Sequence, residues 1–208
     1  MIIRSLNRQP YLKTWQAMQD FTRARGADSP DEIWLLEHDP VFTQGQNGRP
    51  EHLLEAGDIP LVQSDRGGQI TWHGPGQLMA YTLIDLRRRQ LNVRTMVTAL
   101  EQAVIRLLAD YQLTAHAKAL APGVYFNDQK ICSVGLRIRK GCSYHGLALN
   151  LNPDLSAFQR IHPCGFADLK MTRLCDWVSF DRPSLEKRLT DYLTDELGYN
   201  DAKDPEEP

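Results

Sequence analysis

The chain has 208 residues, 42% of them hydrophobic, and its 24 basic against 26 acidic side chains leave a formal net charge of −2. That length and apolar share suffice for one full core, and the missing basic excess argues against a general nucleic-acid binder. No apolar run reaches membrane-spanning length and the first residues lack a signal-peptide core, so the expectation is a soluble cytoplasmic protein.

Met1 to Ile3 reads as a short strand. Thr14 to Arg25 reads as a helix with Trp15, Met18 and Phe21 on one side, stopped at Gly26. Ile33-Trp34-Leu35-Leu36, within Glu32 to His38, is the short apolar run of a buried strand, ended by Asp39-Pro40. Val41 to Gly45 then enters a polar loop through Pro50, and Ile59 to Gln63 is a further strand. Leu78 to Leu86 is rich in strand formers and closes at Arg87-Arg88-Arg89. Thr95 to Tyr111 is the clearest helix, with Met96, Leu100, Val104, Leu107 and Leu108 at helical spacing and Asn92 as its cap. Val124 to Phe126 and Lys130 to Ile138, joined by Asn127-Asp128, form a hairpin; after Lys140-Gly141 a third strand, Ser143 to Leu151, completes an antiparallel meander. Residues 152 to 166 read as irregular, Ser184 to Leu197 as a terminal helix, and residues 200–208 as a polar, acidic tail without structure. Strands clustered apart from helices favour an α+β class, and no linker divides residues 1–199, which read as one domain.

The most unusual run is Arg66-Gly67-Gly68-Gln69-Ile70-Thr71-Trp72-His73-Gly74-Pro75-Gly76-Gln77. Glycines at this density let a backbone approach a ligand or adopt positive φ. A pocket wall and a plain tight hairpin with an aromatic plug both fit. No Gly-Lys-Ser/Thr ending follows, so it is not a nucleotide P-loop.

Four cysteines, Cys132, Cys142, Cys164 and Cys175, contain no Cys-x-x-Cys pair and do not resemble a disulfide scaffold. Cys164, between Pro163 and Gly165, is the one outside an apolar pattern; it reads either as a nucleophile or as an inert packed thiol. Cys132 alternates within a strand and reads as packing, and Cys142 and Cys175 read as structural. Lys130, opening a strand after a turn, is ordinarily a solvated edge charge. Buried beside a thiol it would instead lower that thiol's pKa and yield a thiolate. Cys142, His145, His162 and Cys164 offer zinc donors, but their spacings match no standard finger, and no metal site is expected.

Taken together, Arg66 to Leu78, Lys130-Ile131, Gly135-Leu136-Arg137, His145-Gly146-Leu147-Ala148-Leu149-Asn150 and Pro163-Cys164-Gly165 occur in the order found in the octanoyltransferases of lipoate biosynthesis, and the chain resembles that family over nearly its whole length. The resemblance implies a biotin/lipoate protein ligase-like fold, a mixed and largely antiparallel sheet flanked by helices. It implies an enzyme moving an octanoyl group from octanoyl-acyl carrier protein to a lysine on the lipoyl domains of 2-oxoacid dehydrogenase complexes and on the glycine cleavage H protein. It further implies a monomer without a metal or organic cofactor. By the same resemblance Cys164 is the acyl-thioester nucleophile and Lys130 its pKa-lowering acid/base partner. Arg66, Gly67, Gly68, Gln69, Ile70, Thr71, Trp72 and His73, with Ser133, Val134 and Gly135 and with Gly146, Leu147 and Ala148, match the substrate-lining stretches. Trp72 stands where tyrosine is common in the family, and Cys132 and Ser133 where small alanines are usual; Trp72 is expected to reshape the acyl tunnel. Arg87 to Arg89, or Arg137, Arg139 and Lys140, are candidates for a basic surface facing acidic partners. The competing expectations are an ATP-dependent lipoate or biotin ligase and a non-catalytic acyl-binding module.

Overall fold

A computed structural model describes residues 1–119, 121–163 and 168–200. Its strands are β1 (Ile2–Gln9), β2 (Glu32–His38), β3 (Val41–Gln44), β4 (Leu61–Gln63), β5 (Ile70–His73), β6 (Gln77–Leu83), β7 (His116–Ala117), β8 (Gly123–Phe126), β9 (Gln129–Arg139) and β10 (Cys142–Asn150). Its helices are α1 (Tyr11–Ala24), α2 (Val93–Ala109) and α3 (Arg182–Glu196). Among the described residues, seven strands form one sheet in the order β1-β2-β6-β10-β9-β8-β7, and β4-β3-β5 form a second, smaller sheet. The pairs β1/β2 and β3/β4 are parallel and every other pair is antiparallel.

The large sheet is buried on both faces, which is why its central strands read as continuous apolar runs rather than as alternation. Ile33 and Leu35 of β2, Leu78 and Ala80 of β6, and Leu147 and Leu149 of β10 point to one face. There they meet Met96, Leu100, Val104, Leu107 and Leu108 of α2 and Leu185, Leu189 and Leu193 of α3. The intervening residues Trp34, Leu36, Met79, Tyr81 and Ala148 point to the other face, where Met18 of α1 is buried and Trp15 and Phe21 pack alongside. Phe42, Ile70 and Trp72 of the small sheet form a third cluster with Ala157, Phe158 and Ile161.

Local chemistry sets the element ends. Asn92 caps α2 with a reciprocal pair: its side chain accepts from the Thr95 N–H, and Thr95 Oγ1 accepts from the Asn92 N–H. Asp181 caps α3 by accepting from the Ser184 N–H. In the meander Asn127 and Asp128 both have positive φ (47° and 59°), as the tight hairpin between β8 and β9 requires.

Several elements differ from expectation. β1 runs to Gln9, well past Ile3, because it is an exposed edge strand with little apolar pattern to betray it. α1 begins at Tyr11, straight after Pro10, earlier than its apolar periodicity suggests. The glycine-rich run is a loop only in part, since residues 70–73 form β5, and β7 was not anticipated. Most of the acidic tail, residues 201–208, lies outside the described residues.

Candidate active site

Three stretches far apart in sequence converge where the two sheets meet. The loop ahead of β5 docks on β9 through the Gly67 N–H, which donates to the Leu136 carbonyl at 2.8 Å. β9 and β10 pair so that Gly135 faces Gly146 and Val134 faces Leu147. A side chain has no room at position 146 of this meeting and little at position 135. A Cβ on Gly135 would stand 3.3 Å from the Gly67 carbonyl oxygen, and one on Gly146 would stand 2.0 Å from that of Ala80.

The convergence forms a partly open cavity between the loop and the two strands. Of the residues matched to the substrate-lining stretches, Arg66, Gly67, Gly68, Gln69, Ile70, Thr71, His73, Ser133, Val134, Gly135, Gly146, Leu147 and Ala148 line it. Tyr11, Met79, Tyr81 and His145 complete the wall and were not among them. Trp72 lies outside the cavity. Alternation in β5 turns its ring into the cluster with Phe42, and it meets Phe158 edge-on at 5.5 Å. Its Nε1 is buried without a hydrogen-bond partner among the described residues, and it is not among the residues that line this cavity.

The polar part of the wall is held from behind. Thr43 Oγ1 accepts from Arg66 Nε and Nη2 at 3.0 and 2.8 Å and donates to His73 Nε2 at 3.2 Å. His73 Nδ1 donates to Gln77 Oε1 at 2.7 Å, and the Gln77 amide donates to Asn150 Oδ1 at 2.9 Å. Asn150 donates to the Thr172 carbonyl at 2.9 Å, and the Thr172 N–H donates to the Lys130 carbonyl at 3.0 Å. One directed chain of hydrogen bonds thus ties the Arg66 loop to the Lys130 strand.

Burial disfavours the charged form of each histidine around the cavity. Burial pushes His38 down to about 4, and it donates to the Gln9 carbonyl and accepts from Tyr81. Burial, with the neighbouring His38 and Arg66 adding to it, holds His73 well below its usual value. Burial also lowers His145, although its bond to Asp65 opposes that shift.

Asp65 is the hub that sequence reasoning missed. It accepts from Trp15 Nε1 at 2.8 Å, Gln19 Nε2 at 3.2 Å, His145 Nε2 at 2.9 Å and the Tyr144 hydroxyl. Burial alone would raise its carboxyl, but the His145 and Tyr144 bonds hold it well below the usual range. Tyr144 and His145 are neighbours in β10 yet both reach Asp65, because His145 has φ +61° and breaks the strand's alternation.

Lys130 is buried, 1% exposed, and not the solvated edge charge that a strand-opening lysine ordinarily is. Its stem fits because position 123 is glycine: a Cβ there would lie 2.5 Å from Lys130 Cε. Its Nζ lies 5.5 Å from the centre of the Tyr125 ring. It borders a second cleft that shares Gly67, Gly68, Gln69, Val134 and Gly135 with the first. Gln69 lines both, and its Oε1 is buried without a partner among the described residues.

Cys164 lies outside the described residues. The segments flanking 164–167 are anchored on both sides. The His162 N–H donates to the His52 carbonyl, and the Lys130 N–H donates to the Lys170 carbonyl, both at 2.8 Å. Of the described cysteines, Cys132 is fully buried and burial pushes its thiol up to about 12, which makes it a packing residue. Burial raises the Cys142 thiol as well. Cys175 is exposed, not packed as the neighbouring apolar residues suggested. No group of His, Cys, Asp or Glu among the described residues is arranged to hold a metal ion, and no described helix is long and apolar enough to cross a membrane.

The profile of the Lipoyl protein ligase A/B catalytic domain matches residues 10–194. An octanoyltransferase of Histophilus somni (strain 129Pt) is 56% identical over 210 residues, covering 97% of this chain and 96% of its own. In three dimensions the chain is similar to lipoate-protein ligase A bound with ATP, with a TM-score of 0.76 at 16% identity over 95% of this chain and 86% of that one. It is also similar to a biotin protein ligase from Aquifex aeolicus, with a TM-score of 0.55 at 14% identity over 98% and 72%.

Proposed function

The chain belongs to the lipoyl protein ligase A/B catalytic domain family, and from that premise we propose that it is an octanoyltransferase working through Cys164 and Lys130. The donor in this reading is octanoyl-acyl carrier protein. The acceptor is the lysine of a lipoyl domain in a 2-oxoacid dehydrogenase complex or of the glycine cleavage H protein. Residues 1–199 act as one catalytic unit and as a monomer.

The observation that carries the reading is a buried lysine beside the cleft that adjoins the glycine-built cavity. Met79 and Ala148, with the rings of Tyr11 and Tyr81, give the cavity an apolar wall suited to an acyl chain. Each methylene buried there contributes about 0.8 kcal/mol. Lys130 supplies the positive charge that turns a neighbouring thiol into a thiolate. Cys164 attacks the donor thioester, the carrier leaves as a thiol, and the acceptor lysine then takes the acyl group from the enzyme. Splitting the transfer in two predicts ping-pong kinetics. The incoming thioester is already activated, so the reaction needs no ATP, unlike that of a ligase.

The test is octanoyl transfer from octanoyl-acyl carrier protein to a purified lipoyl domain with ATP withheld. Transfer that depends on Lys130, and is lost in Lys130→Ala, supports the reading. Transfer only from free octanoate plus ATP would make the protein a ligase instead.

A further inference from the structure

Glu101 is a buried charge outside the walls of both the cavity and the cleft. It sits on the core side of α2 among Leu100, Val104 and Leu107, and is 8% exposed. A carboxylate on an apolar helix face is costly unless something compensates it. The Gly123 N–H donates to its Oε1 at 2.7 Å. The Cα of the same glycine abuts the end of Lys130: with φ at +138°, a Cβ there would stand 3.2 Å from Nζ. One residue of backbone therefore separates the carboxylate from the ammonium. Burial raises the Glu101 carboxyl, and the Gly123 N–H and the Lys130 charge pull it back. Among the described residues, the titratable groups beside the pair include Tyr125 on β8, with Lys118 on its ring, and Cys132 on β9. Asp128 pairs with Lys118, and Lys170 lies on the segment beside Lys130. Among these, Glu101 is the carboxylate that shares Gly123 with Lys130.

We propose that Glu101 is a positioning residue that acts through Lys130, keeping the lysine's proton affinity high while its charge cycles. The inference rests on the role given to Lys130 above. In the first half-reaction the Cys164 sulfur bonds to the acyl carbon, the carrier's C–S bond breaks, and the Lys130 ammonium gives one proton to the departing carrier thiolate. Lys130 is then a neutral amine beside the Glu101 carboxylate. In the second half the neutral acceptor amine bonds to the acyl carbon and the Cys164 C–S bond breaks to restore the thiolate. Lys130 takes the proton released from the acceptor nitrogen. The Glu101 charge favours the ammonium at both ends of this cycle and makes the amine a stronger base between them.

The experiment is the pH profile of acyl-enzyme formation in wild type, Glu101→Gln and Glu101→Asp, read at the alkaline limb that Lys130→Ala removes. Glutamine keeps the shape and an oxygen for the Gly123 N–H but loses the charge; its limb should move about one pH unit lower. Aspartate keeps the charge while giving up reach to Gly123, and its limb should stay near the wild-type position. A Glu101→Gln limb coincident with wild type overturns the inference. So does a Glu101→Asp limb that falls by a full unit, because the hydrogen bond and not the charge would then be what matters. A Lys130→Ala enzyme that forms acyl-enzyme at the wild-type rate refutes the role of the lysine itself, whichever way the Glu101 variants behave.

Discussion

Replacing Asp65 with asparagine tests whether one carboxylate holds the cavity wall together. Oδ1 accepts from Trp15 and His145, and Oδ2 accepts from Gln19 and Tyr144, so α1, β10 and the loop before Arg66 meet on two oxygens. Asparagine offers one oxygen. Its amide would point two N–H groups at donors, so one pair of bonds is lost and the other becomes neutral. A hydrogen bond to a charged group contributes about 1.5–3 kcal/mol. The Asp65 side chain is 25% exposed, which discounts each bond toward the lower end. The loss should be about 3–4 kcal/mol, a large part of the roughly 5–15 kcal/mol that holds a domain folded. The sign with pH follows from the depressed carboxyl. Stability from a depressed carboxylate is fully present above its unfolded value, about 3.9, and is lost as pH falls through the folded value. Urea unfolding of wild type and Asp65→Asn should therefore show a constant gap near neutrality that narrows progressively as pH falls below about 4. A gap below about 1 kcal/mol at neutral pH, or one that widens in acid, would refute the hub.

Two further substitutions address the cavity. Gly135→Val places its first carbon 3.3 Å from the Gly67 carbonyl oxygen and its methyls in the acyl space. The ratio of kcat/KM for octanoyl over butyryl carrier protein should fall at least ~10-fold, the equivalent of about 1.4 kcal/mol, and an unchanged ratio would mean that the chain binds elsewhere. Trp72→Phe removes a buried donor that has no partner among the described residues, on a ring that faces away from the cavity. Stability should change by less than about 1 kcal/mol, since the recovered desolvation offsets the lost contacts, and the chain-length profile should stay put. A changed profile would place the ring in the acyl path.

What could be read in the sequence was whatever depends on neighbours along the chain. The Ile33-Trp34-Leu35-Leu36 run, the α2 stripe with its Asn92 cap, and the Asn127-Asp128 turn are local signals, and β2, α2 and the β8–β10 meander stand where those signals lie. β1 is mostly exposed and carries few apolar residues, so only Ile2 and Ile3 marked it. The site was partly legible as motifs, but its supports were not. Asp65 gathers donors from positions 15, 19, 144 and 145, and no spacing rule joins them. The positive φ of His145 leaves no mark in its residue type. The burial of Lys130 depends on a glycine seven positions earlier across a bulged hairpin, and the glycine was visible where the contact was not. Trp72 illustrates the reverse error: a residue inside a pocket-forming run is carried to the other side by strand alternation.

The central claim is that the acyl group passes through Cys164 with Lys130 beside it. Intact-mass analysis of the chain after mixing with octanoyl-acyl carrier protein, before any acceptor is added, tests it most directly. The wild type should carry one octanoyl adduct, discharged when a lipoyl domain is added, absent in Cys164→Ala and slow to form in Lys130→Ala. An adduct that persists in Cys164→Ala, or one that a lipoyl domain does not discharge, would contradict it.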